Sequence, residues 1–343
     1  MLRRVLLLVA ALASLVALAF TAPSWIAPPS CDSRLAIVPD RGDDPSICPP
    51  LRVLGEKRLV FDAAHLAGGP DYVNDHTLIF GADQRWHLFG IFHKEPCCGE
   101  QEIDFVHAIS DVRDPVDWGA NSFQLSPFDS GIALTRRLEL GETHLWAPHV
   151  VRAGDRYVMV FQSGGDDNDR AQIRMAESTD LERWTRVGEA PLFEDICVAR
   201  DPMLRKNGES WTLYYTRCNN ATDRRSGVAY RTSADLRSWS EPAMALTLES
   251  TPGMFNSGYT ESPFVFEWKG WYYLAVTSYP VAYDATFVYC SRSPFHFSEP
   301  PRGRLSAHAA EWVFTEAGQG VLSHCGPGQG GVWVADVAGS CGG

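Results

Sequence analysis

The sequence predicts an all-β fold, a five-bladed β-propeller with no clear C-terminal β-sandwich. Three observations carry that expectation. A hairpin pattern recurs five times: an acid or small residue, a short apolar strand, a Gly-bearing turn, and a returning aromatic strand. The spacing inside the pattern is nearly constant. No long segment of 3.6-residue periodicity with helix caps competes for the interior of the chain.

Met1-Leu-Arg3-Arg4, followed by an apolar run from Val5 to Phe20, has the layout of a secretory leader with a basic start. Residues 1–22 read as that leader, cleaved near Ala19 to Ala22, or as an uncleaved N-terminal membrane anchor. Either reading puts the folded part outside the cytoplasm, as a secreted, periplasmic or membrane-anchored protein. Residues 23–50, opening with Pro23-Ser-Trp-Ile-Ala-Pro-Pro-Ser30, form a linker or N-terminal extension, and residues 51–343 form the propeller.

The five stretches follow in order. Asn74-Asp75-His76 leads through a turn at Gly81 to Trp86, and Trp146-Ala147-Pro148 through Gly154 to Tyr157. Arg200-Asp201-Pro202 leads through Gly208 to Trp211, and Glu261-Ser262-Pro263 through Gly270 to Trp271. The last is Ser323-His324-Cys325, which leads through a Gly-rich turn to Trp333. Counted from Asp75, Ala147, Asp201, Glu261 and Ser323 to those aromatics, the separations are 11, 10, 10, 10 and 10. A second landmark, a small-polar turn followed by an aromatic, ends at Trp118, Trp184 and Trp239, with a weaker fourth at Phe297. Each of these aromatics is expected to plug between neighbouring units.

The starts lie 72, 54, 60 and 62 residues apart, a period that suits blades of three or four short strands. The fifth unit is short. Residues from about Leu51 to His65, with the strand-like Arg58-Leu-Val-Phe61, are expected to complete it and close the ring, which removes an aggregation-prone edge.

Composition narrows the function. The chain has 343 residues, 45% hydrophobic and 21% charged, an ordinary globular balance. Its net charge is -12, or -14 without the leader, which holds Arg3 and Arg4 and no acid. With no basic run, nucleic acid and anionic lipid are poor partners, so membrane contact is expected only through the N-terminal anchor. Nine cysteines fit an oxidising compartment. Adjacency in sequence suggests Cys31 with Cys48, Cys197 with Cys218 and Cys325 with Cys341. Cys97, Cys98 and Cys290 are left unassigned.

In a propeller the first strand of each blade lies next to the axis, so equivalent positions converge. Asp75, Asp201 and Glu261 would then share one funnel. Carboxylates brought that close repel, and their pKa values separate. Glycoside hydrolysis uses that separation: one protonated acid assists the leaving oxygen while an ionised carboxylate attacks or activates water.

At these residues the chain resembles the furanosidase-type propellers of glycoside hydrolase families 43 and 32. Trp146-Ala147-Pro148 and Glu261-Ser262-Pro263 resemble family 43, and Asn74-Asp75 with Arg200-Asp201-Pro202 resembles family 32. The resemblance spans roughly residues 70 to 338. It implies Asp75 as general base or nucleophile, Asp201 as transition-state stabiliser and pKa modulator, and Glu261 as general acid. It departs at His76-Thr77, where those families commonly carry Pro. Asn74, His76, Trp146 and Arg200 are candidate substrate-binding residues, with Trp146 a sugar platform or a blade-packing residue, and Arg200 a clamp on Asp201 or a sugar hydroxyl or a surface ion-pair partner.

No cofactor is expected to be required, a structural calcium being the one exception allowed, and no metal is assigned. His324, expected at the fifth blade's inner position, is where the resemblance implies a central cation or water, although a hydrogen-bonded core histidine is the plainer reading. His76, His144 and His149 are expected near the pocket without zinc-like spacing. Asp166-Asp167-Asn168-Asp169 resembles a calcium-type cluster but reads as a solvated turn. The expected function is thus an exported glycosidase cleaving arabinofuranosyl or fructofuranosyl linkages of an oligo- or polysaccharide. A non-catalytic glycan-binding propeller and a glycosyltransferring or phosphorolytic relative are the alternatives. Retention or inversion depends on the carboxylate separation, about 5–5.5 Å against about 6.5–9.5 Å.

Overall fold

A computed structural model of the chain describes residues 48–49, 51–64, 66, 69–96, 101–164, 171–195, 198–218, 226–248, 260–278, 284–315 and 319–338. The leader, the Asp166–Asp169 cluster and Cys31, Cys97, Cys98, Cys197 and Cys341 fall outside the described residues.

Alternating strands and tight turns build five antiparallel sheets. β1 (Arg52–Asp62) comes first in sequence but belongs to the last sheet. The first blade is β2 (Asp71–Phe80), β3 (Trp86–Lys94), β4 (Asp104–Ser110) and β5 (Gln124–Leu125), with β6 (Ile132–Thr135) also on β4. The second is β7 (Leu145–Ala153), β8 (Arg156–Ser163), β9 (Gln172–Ser178) and β10 (Thr185–Arg186). The third is β11 (Ala199–Asn207), β12 (Ser210–Cys218), β13 (Ser226–Ser233) and β14 (Ala243–Thr247). The fourth is β15 (Thr260–Trp268), β16 (Trp271–Ser278), β17 (Ala285–Ser291) and β18 (Gly303–Ser306). The fifth runs β19 (Glu311–Phe314), β20 (Gly320–His324), β21 (Gly331–Ala338), and β1 then pairs antiparallel with β21. An N-terminal strand therefore closes the ring.

Period-two alternation explains how blades stack. Val158 and Val160 of β8 pack with Leu204 and Leu213 of the third blade, whereas Tyr157, Met159 and Phe161 of the same strand pack with Phe89, Ile91 and Phe105 of the first. Each blade interface holds one such apolar cluster, each buried side chain contributing roughly 1.5–3 kcal/mol. Trp118, Trp184, Trp239 and Phe297 sit in or against four of these interfaces, as the second landmark predicts.

Three sequence expectations are corrected. The fifth blade's inner strand is β19, and Ser323-His324 lies on its second strand. The hairpin taken as inner is the one joining β20 to β21, whose Gly-rich turn and Trp333 imitate a first hairpin. In the fourth blade the turn pairs Trp268 with Trp271 and Glu267 with Tyr272, while in the third Asn207 pairs with Ser210 and Lys206 with Trp211. Tyr272, not Trp271, is therefore the counterpart of Trp211, and Ser262 rather than Glu261 shares the register of Asp201. Lastly, Cys48 is bonded to Cys290 on β17, and Cys325 is a free buried thiol. Closing the ring brings the segment before β1 onto the fourth blade, so sequence adjacency misassigns Cys48.

Candidate active site

One backbone feature, repeated in every blade, shapes the centre of the ring. Asp75, Ala147, Asp201, Ser262 and Ala309 all have left-handed backbone angles, with φ of 36, 47, 52, 49 and 47°. In the first four blades each marks a break in register: between Asn74 and His76, Trp146 and His149, Arg200 and Met203, and Glu261 and Phe264. Such a bulge re-aims its side chain, and a left-handed non-glycine residue costs on the order of 1–3 kcal/mol. Opposite the first bulge stands Gly90, where a Cβ would lie 2.6 Å from Val73 Cγ1 and 3.3 Å from the Asp75 carbonyl. Only glycine leaves that space.

The bulges bring the charged side chains together. Asp75, Asp201 and Ser262 line one cavity with His76 and Glu311. Ser262 joins the two aspartates: its hydroxyl donates to Asp75 Oδ1, and its backbone N–H donates to Asp201 Oδ2 at 3.3 Å. Arg200, one residue before its bulge, donates from Nη2 to Glu261 Oε1 at 3.0 Å, and its Nε is 3.7 Å from Asp201 Oδ2. The same Nη2 donates to the Thr260 carbonyl at 3.2 Å. From the second blade, Gln162 Oε1 accepts the Asp201 N–H at 3.3 Å.

Burial dominates the electrostatics. It pushes the Asp75 carboxyl up to about 7, with the Ser262 hydrogen bond opposing and Glu261 and Glu102 adding to the rise. Burial likewise pushes Asp201 up to about 7, Arg200 opposing and the Asp75 and Glu261 charges reinforcing. The two aspartates titrate as a pair. Burial works against the charge of Arg200, yet Asp201, Glu261 and Asp75 together hold its pKa above the ordinary value.

The other expected residues are placed as follows. Asn74 is buried in the register of Trp146, Arg200 and Glu261. His76 lines the cavity, but both ring nitrogens point at protein atoms of the fifth blade. Trp146 is half-buried and stacks on His144, ring centres 3.7 Å apart. His149 reaches the cavity from the second blade and accepts the Leu204 N–H at 3.3 Å. His324 is buried but does not hold the inner position. That place belongs to His308, whose Nε2 is 4.0 Å from Asp75 Oδ1. Among the described residues no group of three or more His, Cys, Asp or Glu side chains is placed to hold a metal ion.

Sequence reasoning missed Ser262, His308, Gln162 and Glu311. For Ser262 a signal exists: Pro148, Pro202 and Pro263 each follow the bulge residue and align Ala147, Asp201 and Ser262 directly. His308 precedes a four-residue strand without such a proline, and nothing local marks it.

The model of the glycosyl hydrolases family 43 matches residues 128–331. No curated protein matches the chain. Among solved structures, a thermostable family-43 glycoside hydrolase is similar with a TM-score of 0.57 at 17% identity, over 79% of this chain and 90% of that one. An endo-arabinase from Bacteroides thetaiotaomicron gives 0.60 at 12% identity, over 81% and 96%. A family-32 β-fructofuranosidase from Bombyx mori gives 0.54 at 18%, over 74% of this chain and 54% of that one. At these identities the likeness to the solved structures is one of fold.

Proposed function

The chain belongs to family 43 of the glycosyl hydrolases, a glycosidase acting on carbohydrate, and from that membership we propose that it cleaves arabinofuranosyl or fructofuranosyl linkages with Asp75, Asp201 and Glu261. One observation carries the reading. Asp75 and Asp201 share a cavity, and Arg200 ties Glu261 to it through contacts of 3.0 and 3.7 Å.

In this reading Asp75 is the general base or nucleophile. Its environment poises it near neutrality, and the Ser262 hydroxyl favours the ionised form it must have. Asp201, fixed by Ser262 N–H and Arg200, faces the positive charge that develops on the sugar ring. Glu261 delivers the proton to the leaving oxygen.

Arg200 bears on that last role. Arg200 Nη2 lies 3.0 Å from Glu261 Oε1, while burial favours a protonated Asp75. Exchanged roles, with Asp75 the acid and Glu261 the base, are the second reading this ion pair supports.

Export is part of the proposal. The basic-then-apolar start of the chain and the Cys48–Cys290 bond support it. The deciding experiment is turnover against arabinan, levan, inulin and aryl furanosides, with the product anomer followed by NMR. Release of a furanose supports the reading. Tight glycan binding without turnover across the panel would replace it with a glycan-binding propeller.

A further inference from the structure

Among the four bulges that break register, the one that carries Asp75 is built differently from the other three. In the second, third and fourth blades a proline follows the left-handed residue: Pro148, Pro202 and Pro263. A proline ring fixes its own φ near −65°, so the chain leaves the bulge in one direction only. In the first blade that place is taken by His76, which has no such constraint of its own.

His76 is held from outside its hairpin instead. It is 3% exposed. Its Nε2 lies 2.7 Å from Ser323 Oγ and its Nδ1 3.1 Å from Cys325 Sγ, partners 247 and 249 residues away on the fifth blade. Burial pushes the imidazole down to about 3, so the ring is neutral at working pH, one nitrogen donating and the other accepting. Both partners can serve in either sense. The fifth-blade segment is itself buried, with Ser323 and Cys325 fully enclosed. Across the hairpin, the missing side chain of Gly90 leaves room for the kink, since a Cβ there would also come 3.4 Å from His76 Cβ.

We propose that His76, clamped between Ser323 and Cys325, is a positioning residue for hydrolysis: the clamp does for the Asp75 bulge what proline does for the other three. The inference rests on Asp75 being the base or nucleophile. It gives the departure at His76 a purpose, since the carboxylate that must meet the reacting atoms is locked by the blade next to it. It also ties ring closure to activity, because Ser323 and Cys325 belong to the blade that β1 completes. A misplacement of about 1 Å costs roughly 100-fold in rate, so a loosened bulge should slow the chemistry without weakening substrate binding.

The test compares the full chain with H76A, H76P, S323A and D75N on whichever member of the arabinan, levan, inulin and aryl-furanoside panel the wild type turns over fastest. Rates are taken per folded molecule, with folding checked by circular dichroism and melting. D75N should lose about 1,000-fold or more in kcat. H76A should lose about 10- to 100-fold in kcat with KM within about 3-fold, and S323A about 3- to 10-fold. H76P should recover to within about 5-fold of wild type. An H76A enzyme with wild-type kcat overturns the inference, and so does an H76P as slow as H76A. If H76P does not fold, S323A decides: an unchanged kcat overturns the clamp and the expected loss supports it. Turnover retained by D75N, or absent from the whole panel for the wild type, would instead remove the reading of the site on which the clamp depends.

Discussion

The hydroxyl of Ser262 donates a hydrogen bond to Asp75 Oδ1, so the bulge residue of the fourth blade directly partners the bulge residue of the first. Burial raises the Asp75 pKa and this bond lowers it. S262A removes only the lowering influence and keeps the backbone N–H to Asp201. The acid limb of kcat/KM should therefore move to higher pH, by about half a unit to one unit, since one unit corresponds to about 1.4 kcal/mol. A pH–rate profile reads this directly. An acid limb that stays put or moves down would show that Asp75 does not control it.

The same burial makes the site costly for the fold. Asp201 binds its proton more tightly in the folded chain, near 7, than in an unfolded one, near 3.9. Its stabilising contribution is thus complete below about pH 4 and is lost as pH rises through 7. D201N should therefore melt higher than wild type at pH 8, by about 3 °C, with the gain vanishing near pH 4. The buried histidines run the other way. Burial lowers His76 and His324 to about 3 and His149 to about 4, so they stabilise the fold above about pH 6.5 and cost stability as pH falls toward 4. These histidines are unchanged in D201N, so the difference between the two proteins reports the aspartate pair. A D201N protein no more stable than wild type at pH 8 contradicts the assignment.

The five-fold pattern was legible because turns and returning aromatics are local chemistry, and so was the closing strand, because Arg58-Leu-Val-Phe61 had no partner of its own. The register of the fourth blade was harder to read. Trp271-Tyr272-Tyr273 offers three aromatics in a row, and a count from the first lands one residue early. The prolines after Ala147, Asp201 and Ser262 resolve it, because each marks a bulge rather than a face. The fifth blade was misread for a different reason. Every antiparallel hairpin shows a turn and alternation, and neither says which strand stands nearest the axis. His308, just before a short strand between loops, and Glu311, which opens it, emerge only once the sheet order is known.

The Cys48–Cys290 bond links the residues just before β1 to β17, enclosing most of the propeller in one covalent loop. In the chain-entropy account such a long loop stabilises strongly, and losing a native disulfide costs about 2–5 kcal/mol. The double variant C48S/C290S should melt lower by about 5 °C or more, with kcat little changed at temperatures where it remains folded. Both cysteines lie in the apolar cluster between the fourth and fifth blades, away from Asp75. Calorimetry on the two proteins checks the first expectation and steady-state kinetics the second. Equal melting temperatures would mean that the strand pairing of β1 with β21 closes the ring unaided.

The ion pair between Arg200 and Glu261 makes the assignment of the acid testable by leaving group. An acid catalyst matters most when the leaving alcohol is poor and least when it is an activated phenol. With Glu261 as acid, E261Q should lose about 1,000-fold on a natural glycan but only about 10-fold on a dinitrophenyl furanoside, while D75N loses both alike. Exchanged roles predict the reverse, with D75N the variant that spares the activated substrate. Arg200 adds a second arm to the experiment. R200A frees Glu261 from its 3.0 Å partner and leaves Asp75 and Asp201 without their shared counter-charge. The aspartate pair should then titrate higher, and the acid limb of the profile should rise with it. Measured on the activated substrate, where protonation of the leaving group is least needed, that rise belongs to the base alone. An unmoved limb in R200A would show that Asp75 does not set it.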